Sequence, residues 1–467
     1  MADYDLAVIG AGPGGYKCAL RAAKLGLKVA CIDKNDLLGG TCLRVGCIPS
    51  KALLDYSYKY HAAKELFPKL GIVSKDVKFD IDAMFKARDA EISILSSGIK
   101  SLFSTVGVRA FQGVAKVAGK SGDSFKVSVS CKDQTREELT AKNVIIATGS
   151  EVSSLPNLPI DDDRVISSDA ALRMDVPKKL VVVGAGAIGL EMSSIWSRLG
   201  AEVTVIEYSE RIAAGSDQDI SKALLDCLIK QGIKFCLSSR VSSVSRNASG
   251  VTVECESVVD GSKSSVKADK VLVAVGRVPN VGSIVDNLEL DSRGFIVVDE
   301  NYETSIKGIY AIGDVIGGQM LAHKAEMEGC VVVDKIAMGA GAASVDYAVI
   351  PSIIYTHPAV ASVGKSEQYL KSVGYAYKTG KCSFAANGRS RITYDSDGFV
   401  KVIVCKTTNI ILGVHIIGAH ADVMINEAAV ALGYRATASD IYNVCHSHPD
   451  VNEAFRDACE AALHVKS

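Results

Sequence analysis

Two stretches of the chain repeat one pattern of apolar and polar positions. Residues 6–9 and 180–183 are unbroken apolar runs of the kind that form buried parallel strands. Each runs directly into a GxGxxG segment, Gly10-Ala11-Gly12-Pro13-Gly14-Gly15 and Gly184-Ala185-Gly186-Ala187-Ile188-Gly189. Residues 16–25 and 190–199 then follow helical periodicity, and 28–32 and 202–206 predict second strands, each ending in an acid. Asp33 lies 18 residues beyond Gly15, and Glu207 lies 18 beyond Gly189. Further along, 124–130 alternates like a strand, and 143–146 is apolar and reaches Ala147-Thr148-Gly149-Ser150. The Pro/Ser-rich stretch 151–159 reads as the exit from a first domain. Residues 270–277 predict another buried strand, and 308–315 a strand ending in Asp314. From about residue 348 the texture changes to strands with turns, such as 399–405 and 411–417, followed by helices, which predicts a separate α+β domain.

A glycine-rich turn between strand and helix also forms where nothing binds. Here the strand before, the helix after and the acid at its offset together argue for a dinucleotide, twice over. The first glycine permits the tight turn, the second lets backbone approach a pyrophosphate, and the third lets helix pack on strand. The helix N-terminus supplies N–H groups and the positive end of its dipole.

At 467 residues and 48% hydrophobic the chain predicts several domains. Its 52 basic and 53 acidic residues leave a formal net charge of -1 with no long single-sign block, which argues against nucleic acid or an anionic membrane surface as partner. The most apolar stretches, such as 410–419, are too short and interrupted to span a membrane. The amino terminus runs straight into the first strand, leaving no room for a signal peptide. The expectation is a cytoplasmic protein, or a mitochondrial matrix protein whose presequence lies outside this sequence. Thirteen cysteines, most of them single in apolar surroundings like Cys31, Cys236 and Cys405, read as buried thiols of a reducing compartment. With no CxxC or Cys/His cluster at zinc spacing, no metal site is expected.

One cysteine pair stands apart, in Gly39-Gly40-Thr41-Cys42-Leu43-Arg44-Val45-Gly46-Cys47-Ile48-Pro49-Ser50-Lys51. Two such thiols also occur by accident. In a regular helix, rising about 1.5 Å per residue, they sit beyond the usual Cα separation of under about 7 Å for a disulfide. A bridge between them therefore needs distorted backbone, which the glycines and Pro49 permit.

These residues carry a resemblance. GGTCLRVGCIPSK, the GAGPGG and GAGAIGLE loops, GRVPN, AIGDV and HSHPDVNEAFRDA together resemble the pyridine nucleotide-disulfide oxidoreductases, over essentially the whole chain. The resemblance implies an α/β protein with two Rossmann-like dinucleotide-binding domains and a carboxyl-terminal α+β dimerisation domain. Residues 1–149 would bind FAD, 150–278 NAD, 279–347 would complete the FAD site, and 348–467 would form the interface. It implies a redox-active Cys42–Cys47 disulfide against the flavin. FAD would be held by Gly10, Gly12 and Gly15 at the pyrophosphate and Asp33 at the adenosine ribose, with Gly14 and Lys34 also in the site. Gly40, Thr41 and Lys51 beside the disulfide, Gly113 and Ala115, and Ala147, Thr148 and Gly149 would line the same site. Gly313 and Asp314 would meet the ribityl or phosphate region, followed by Met320, Leu321, Ala322 and His323. NAD would lie on Gly184, Gly186, Ile188, Gly189, Glu191, Glu207, Val275 and Gly276. Glu207 favours NAD over NADP, because a carboxylate binds two ribose hydroxyls and repels a 2'-phosphate.

Lys51 resembles the lysine placed near the flavin and paired with Glu191. His448 is implied as the acid-base, oriented by Glu453, since imidazole both takes and returns a proton near neutrality; His446 reads as structural. Within the family the chain resembles the branch that oxidises dihydrolipoyl groups with NAD. That implies a homodimer with the active site shared between subunits, serving lipoyl groups of 2-oxo acid dehydrogenase or glycine cleavage complexes. Arg44, Asp450 and Asn452 depart from the family's common asparagine, threonine and serine without removing a catalytic group, and Arg44 is expected to lower the interchange-thiol pKa. The competing readings are another NAD(P)H-dependent disulfide reductase of the family and a flavin-binding scaffold without activity. Glu207 opposes the first, as does the ending His464-Val465-Lys466-Ser467, where vicinal cysteines would be expected of one such reductase, and the otherwise idle cysteines, histidine and glutamate oppose the second.

Overall fold

The computed structural model describes residues 2–247, 250–339 and 344–464; residues 465–467, the last three of the ending without vicinal cysteines, lie outside the described residues. The chain divides into two compact units. The first comprises Met1–Ala52, Asp82–Ser153 and Arg277–Val345, and the second Leu53–Ile81, Ser154–Gly276 and Asp346–Ser467.

The first unit is built on a seven-stranded sheet. Tyr4–Ile9 lies between Val29–Asp33 and Arg136–Ile146, parallel to both, with Leu6 opposite Val29 and Asn143. Arg109–Gln112 extends one side in parallel, and the antiparallel Ser124–Ser130 and Val114–Ser121 extend the other. The buried apolar residues of Tyr4–Ile9 divide between two cores. Leu6 and Val8 face the helices Pro13–Lys24 and Ile81–Val106, whereas Ala7 and Ile9 face Phe125, Val127 and Ile309. This two-sided burial is what an unbroken apolar run predicts.

The second unit holds a parallel sheet in the order Lys234–Cys236, Glu202–Ile206, Lys179–Val183, Lys270–Val273, Val165–Ile166. It also holds a three-stranded antiparallel sheet, and from Ser352 onward a five-stranded antiparallel sheet. Helices Ala421–Gly433 and Glu453–Leu463 bury Met424, Ile425, Phe455 and Ala458 against that last sheet's Val400, Val402 and Val414.

Two predicted strands are shorter than their apolar runs. Lys270–Val273 stops where the chain leaves the sheet, and Arg277–Pro279 pairs instead with Ser150–Val152, inside the stretch expected to be linker. Ile309–Ala311 ends before Gly313, whose φ of 78° turns the chain so that Asp314 sits in a 3-10 turn, Gly313–Ile316, and not at a strand end. Among the described residues no helix is long and apolar enough to cross a membrane.

Candidate active site

The two glycine loops are superimposable in their physics. Gly10 and Gly184 have φ of 103° and 105°, and a Cβ on Gly15 or Gly189 would overlap the carbonyl oxygen of Gly10 or Gly184. The third glycine is thus forced by helix seated directly on strand. Helices Pro13–Lys24 and Ala187–Arg198 begin at Gly12 and Gly186 without a side-chain cap, so their first N–H groups are left for a ligand. The acids complete each loop. Asp33 Oδ2 accepts the N–H of Ala11 at 2.7 Å, and Glu207 Oε2 accepts that of Ala185 at 2.6 Å. Their second oxygens take local N–H groups, of Asn35 at 2.9 Å and Ser209 at 2.8 Å. Asp33 Oδ1 also accepts the side-chain amide of Asn35 at 3.0 Å, so on Asp33 it is Oδ2, and on Glu207 either oxygen, that keeps a lone pair for a ribose hydroxyl.

In the first unit Gly40 comes back onto this loop, so close that a Cβ there would reach within 2.5 Å of Gly12 Cα. Helix Gly40–Val45 follows, its N-terminus at Gly39 uncapped by any side chain. Two bare helix N-termini and the open backbone of Gly12 and Gly40 fit the pyrophosphate of a dinucleotide. Around them, Gly113 packs on Ser130, Ala115 is buried, and Thr148 donates its hydroxyl to the carbonyl of Asn280 at 2.6 Å, so that its side chain is already engaged. Ala147 and Gly149 flank it, and Lys34 is exposed. Met320 and Leu321 lead into helix Ala322–Met338, which opens with Ala322 and His323 and starts at Leu321 without a side-chain cap.

Cys42 and Cys47 are joined as a disulfide with Cα atoms 4.6 Å apart. The required distortion falls at Gly46, the non-helical residue between helices Gly40–Val45 and Cys47–Glu65, with φ -133° and ψ -111°. A Cβ at Gly46 would stand 3.0 Å from the carbonyl oxygen of Thr41 and 3.2 Å from Cys42 Cα, so a side chain would crowd the backbone that carries Cys42. Pro49 takes no part in the break and sits in the first turn of Cys47–Glu65, where proline is tolerated. Lys51 follows on the same helix. Arg44 is half-buried, and its Nε finds no hydrogen-bond partner among the described residues.

In the second unit, His448 Nδ1 lies 3.0 Å and 3.2 Å from the two oxygens of Glu453, on a side chain 77% exposed. Glu453 also accepts the N–H of Asp450 at 3.0 Å. That bond first, and His448 second, hold the Glu453 carboxyl below its ordinary value. His446 faces away, toward the carbonyl of Val444 at 2.9 Å and Glu427 Oε1 at 3.1 Å. Glu427 is the residue the sequence does not reveal: its other oxygen accepts Asn452 Nδ2 at 2.8 Å, so one carboxylate on helix Ala421–Gly433 grips residues on both sides of His448. Glu191 is buried and accepts the N–H of Tyr355 at 3.0 Å. Ile188 lies in the first turn of its helix, and Val275 and Gly276 follow strand Lys270–Val273.

One cysteine departs from the expectation of ordinary thiols. Cys405 is drawn down to about 6 by the hydroxyls of Thr407 and Thr408 and by Tyr375, whose hydroxyl is 3.6 Å away. Cys31 matches it, burial pushing the thiol well up.

Residues 4–329 match the model of the pyridine nucleotide-disulphide oxidoreductases, and 350–459 that of the family's dimerisation domain. The chain belongs to the pyridine nucleotide-disulphide oxidoreductase family. It is 46% identical to the mitochondrial dihydrolipoyl dehydrogenase of Caenorhabditis elegans, over 98% of this chain and 92% of that one. It is 46% identical to the human mitochondrial dihydrolipoyl dehydrogenase, over 100% of this chain and 92% of that one. Among solved structures, LpdA of Mycobacterium tuberculosis superposes with a TM-score of 0.90 at 25% identity, covering 99% of this chain and 100% of that one.

Proposed function

We propose that this chain is an FAD- and NAD-dependent dihydrolipoyl dehydrogenase, oxidising the dithiol of dihydrolipoyl groups to the cyclic disulfide with reduction of NAD+ to NADH. The observation that carries the reading is the Cys42–Cys47 disulfide, held in the same unit as a glycine loop with bare helix N-termini. FAD, when bound, supplies the two-electron passage between that disulfide and the nicotinamide.

The chain's residues then take these parts. His448, with Nδ1 on Glu453, takes a proton from one substrate thiol. The resulting thiolate attacks Cys42 sulfur, breaking the disulfide and releasing Cys47 as a thiolate. The second substrate thiol attacks the mixed disulfide at the substrate's sulfur, which closes the cyclic product and releases Cys42; Cys42 takes up that thiol's proton, Cys47 stays a thiolate and His448 keeps the first proton. Glu191 is the partner proposed for Lys51 beside the flavin. Glu207 recognises the NAD ribose, Asp33 the FAD ribose, and Asp314 the flavin's polyol chain.

The dimerisation domain supports a homodimer, in which His448 of one subunit serves the disulfide of the other. The expected partners are lipoyl groups on 2-oxo acid dehydrogenase or glycine cleavage assemblies, in the mitochondrial matrix or a comparable reducing compartment. The domain roles follow: 1–149 with 279–347 for FAD, 150–278 for NAD, and 348–467 for the interface.

Anaerobic titration of the purified yellow protein with dihydrolipoamide or NADH tests the reading. A long-wavelength absorption from thiolate against flavin is expected, and Cys47→Ser abolishes it. Colourless protein that takes up no FAD, or protein inert toward free dihydrolipoamide and NAD, rules it out.

A further inference from the structure

Asp314 is held from two directions by residues outside the motif that singles it out. Its neighbour Gly313 donates its N–H to Glu328 Oε2 at 2.7 Å, and the Gly313 carbonyl accepts from Lys324 Nζ at 3.2 Å. Lys324 and Glu328 pair at 3.0 Å with side chains 2% and 0% exposed. The Coulomb attraction of so buried a pair does little more than offset its desolvation. What the pair adds is geometry, since it fixes both polar backbone groups of one residue.

The carboxylate is fixed from the other side. Ser150 Oγ donates to Asp314 Oδ2 and accepts from Arg277 Nε at 2.7 Å, while Arg277 Nη2 donates to the Ser150 carbonyl at 2.7 Å. With the guanidinium on its acceptor side, the hydroxyl has its single hydrogen for Asp314. Asp314 Oδ1 has no hydrogen-bond partner among the described residues.

We infer that Ser150 and Arg277 are positioning residues for FAD: their relay turns Asp314 so that Oδ1 faces a ligand hydroxyl, above a backbone locked by Lys324 and Glu328. The inference rests on the reading of Asp314 as a flavin contact. It also gives a role to strands Ser150–Val152 and Arg277–Pro279, the antiparallel pair by which the chain leaves the first unit and returns to it.

The test measures the rate at which the holoenzyme releases FAD, followed by the rise in flavin fluorescence after dilution. Loss of a hydrogen bond to a charged group predicts that Ser150→Ala releases FAD about tenfold faster, and Asp314→Ala at least as fast. The double variant should be no faster than Asp314→Ala, and Ser150→Thr, which keeps the hydroxyl, should stay near wild type. Arg277→Gln should move in the same direction as Ser150→Ala, and it serves as the test if Ser150→Ala fails to fold. Wild-type release from Ser150→Ala or Arg277→Gln beside fast release from Asp314→Ala overturns the relay and leaves the flavin contact standing. Wild-type release from Asp314→Ala overturns both.

Discussion

His448 presents Nδ1 to the Glu453 carboxylate at 3.0 Å and leaves Nε2 without a partner among the described residues, on a side chain 77% exposed. A ring held at one nitrogen and open at the other is fixed in tautomer and still able to exchange protons with a substrate. Because Glu453 is held below its ordinary value, it stays anionic through neutrality and below, so the ring's charged partner persists there. Glu453→Gln is expected to lower kcat for dihydrolipoamide oxidation roughly 10²-fold. NADH-driven reduction of an artificial acceptor, which needs no base, should stay unchanged. Equal losses in the two assays would show damage to the fold instead.

Glu427 holds His446 and Asn452, the residues that flank His448 on either side. Releasing them lets His448, the proposed base, drift, and a misplacement near 1 Å costs about 10²-fold. Glu427→Ala should therefore reduce kcat/KM for dihydrolipoamide by about ten- to a hundredfold, with Glu427→Gln intermediate. Steady-state rates at several pH values check this; an unchanged kcat/KM in Glu427→Ala contradicts it.

Glu207 takes the Ala185 and Ser209 N–H groups and is proposed to bind the NAD ribose. Glu207→Ser removes the charge that repels a 2'-phosphate. The expected outcome is a KM for NAD+ raised about tenfold or more and a narrowed preference over NADP+, read from kcat/KM with each. A preference left intact would place the discrimination elsewhere.

Lys401 is 1% exposed and reaches Asp217 at 2.8 Å, Asp219 at 2.7 Å and Glu367 at 2.6 Å. Burial works to raise both Asp219 and Glu367, but hydrogen bonds outweigh it. Lys381 and Lys401 hold Asp219 at about 2, and Lys401, Lys371 and Tyr377 hold Glu367 at about 2. Burial opposes the Lys401 charge too, yet its three carboxylates raise it above the ordinary lysine value. Carboxyls depressed in the folded state stabilise it above their unfolded values near 4, and that share is lost as pH falls from about 4 to about 2. The raised lysine contributes below its unfolded value of about 10.4 and loses its share only as pH climbs through the folded one. Lys401→Met strands Asp217, 0% exposed, and should cost about 3–5 kcal/mol in the unfolding transition of this unit. Urea melts at neutral pH and near pH 3 check both points, because the variant should also lose much of the acid sensitivity.

The two glycine loops, the Cys42–Cys47 pair and the His448–Glu453 pair were legible in the sequence because each is local. A GxGxxG turn, a cysteine pair five apart around Gly46, and an imidazole five residues from its carboxylate are set by backbone geometry within a few turns of chain. The glycine loops announce themselves by spacing, whereas the cysteine and histidine pairs were named through the family resemblance that their local motifs carry. The helical break at Gly46 was foreseeable in kind, since a regular helix keeps such cysteines too far apart, but not in position, since Pro49 was an equal candidate.

Tertiary structure alone decided what surrounds them. Lys401 meets a carboxylate 184 residues away, Ser150 meets Asp314 across 164, and Glu427 meets Asn452 across 25. Lys324 and Glu328 are one helical turn apart, yet only the fold buries them beneath Gly313. Such partners are chosen by burial: a charge removed from water must find a counter-charge or a hydrogen bond wherever packing has brought one, and no spacing along the chain records which that is.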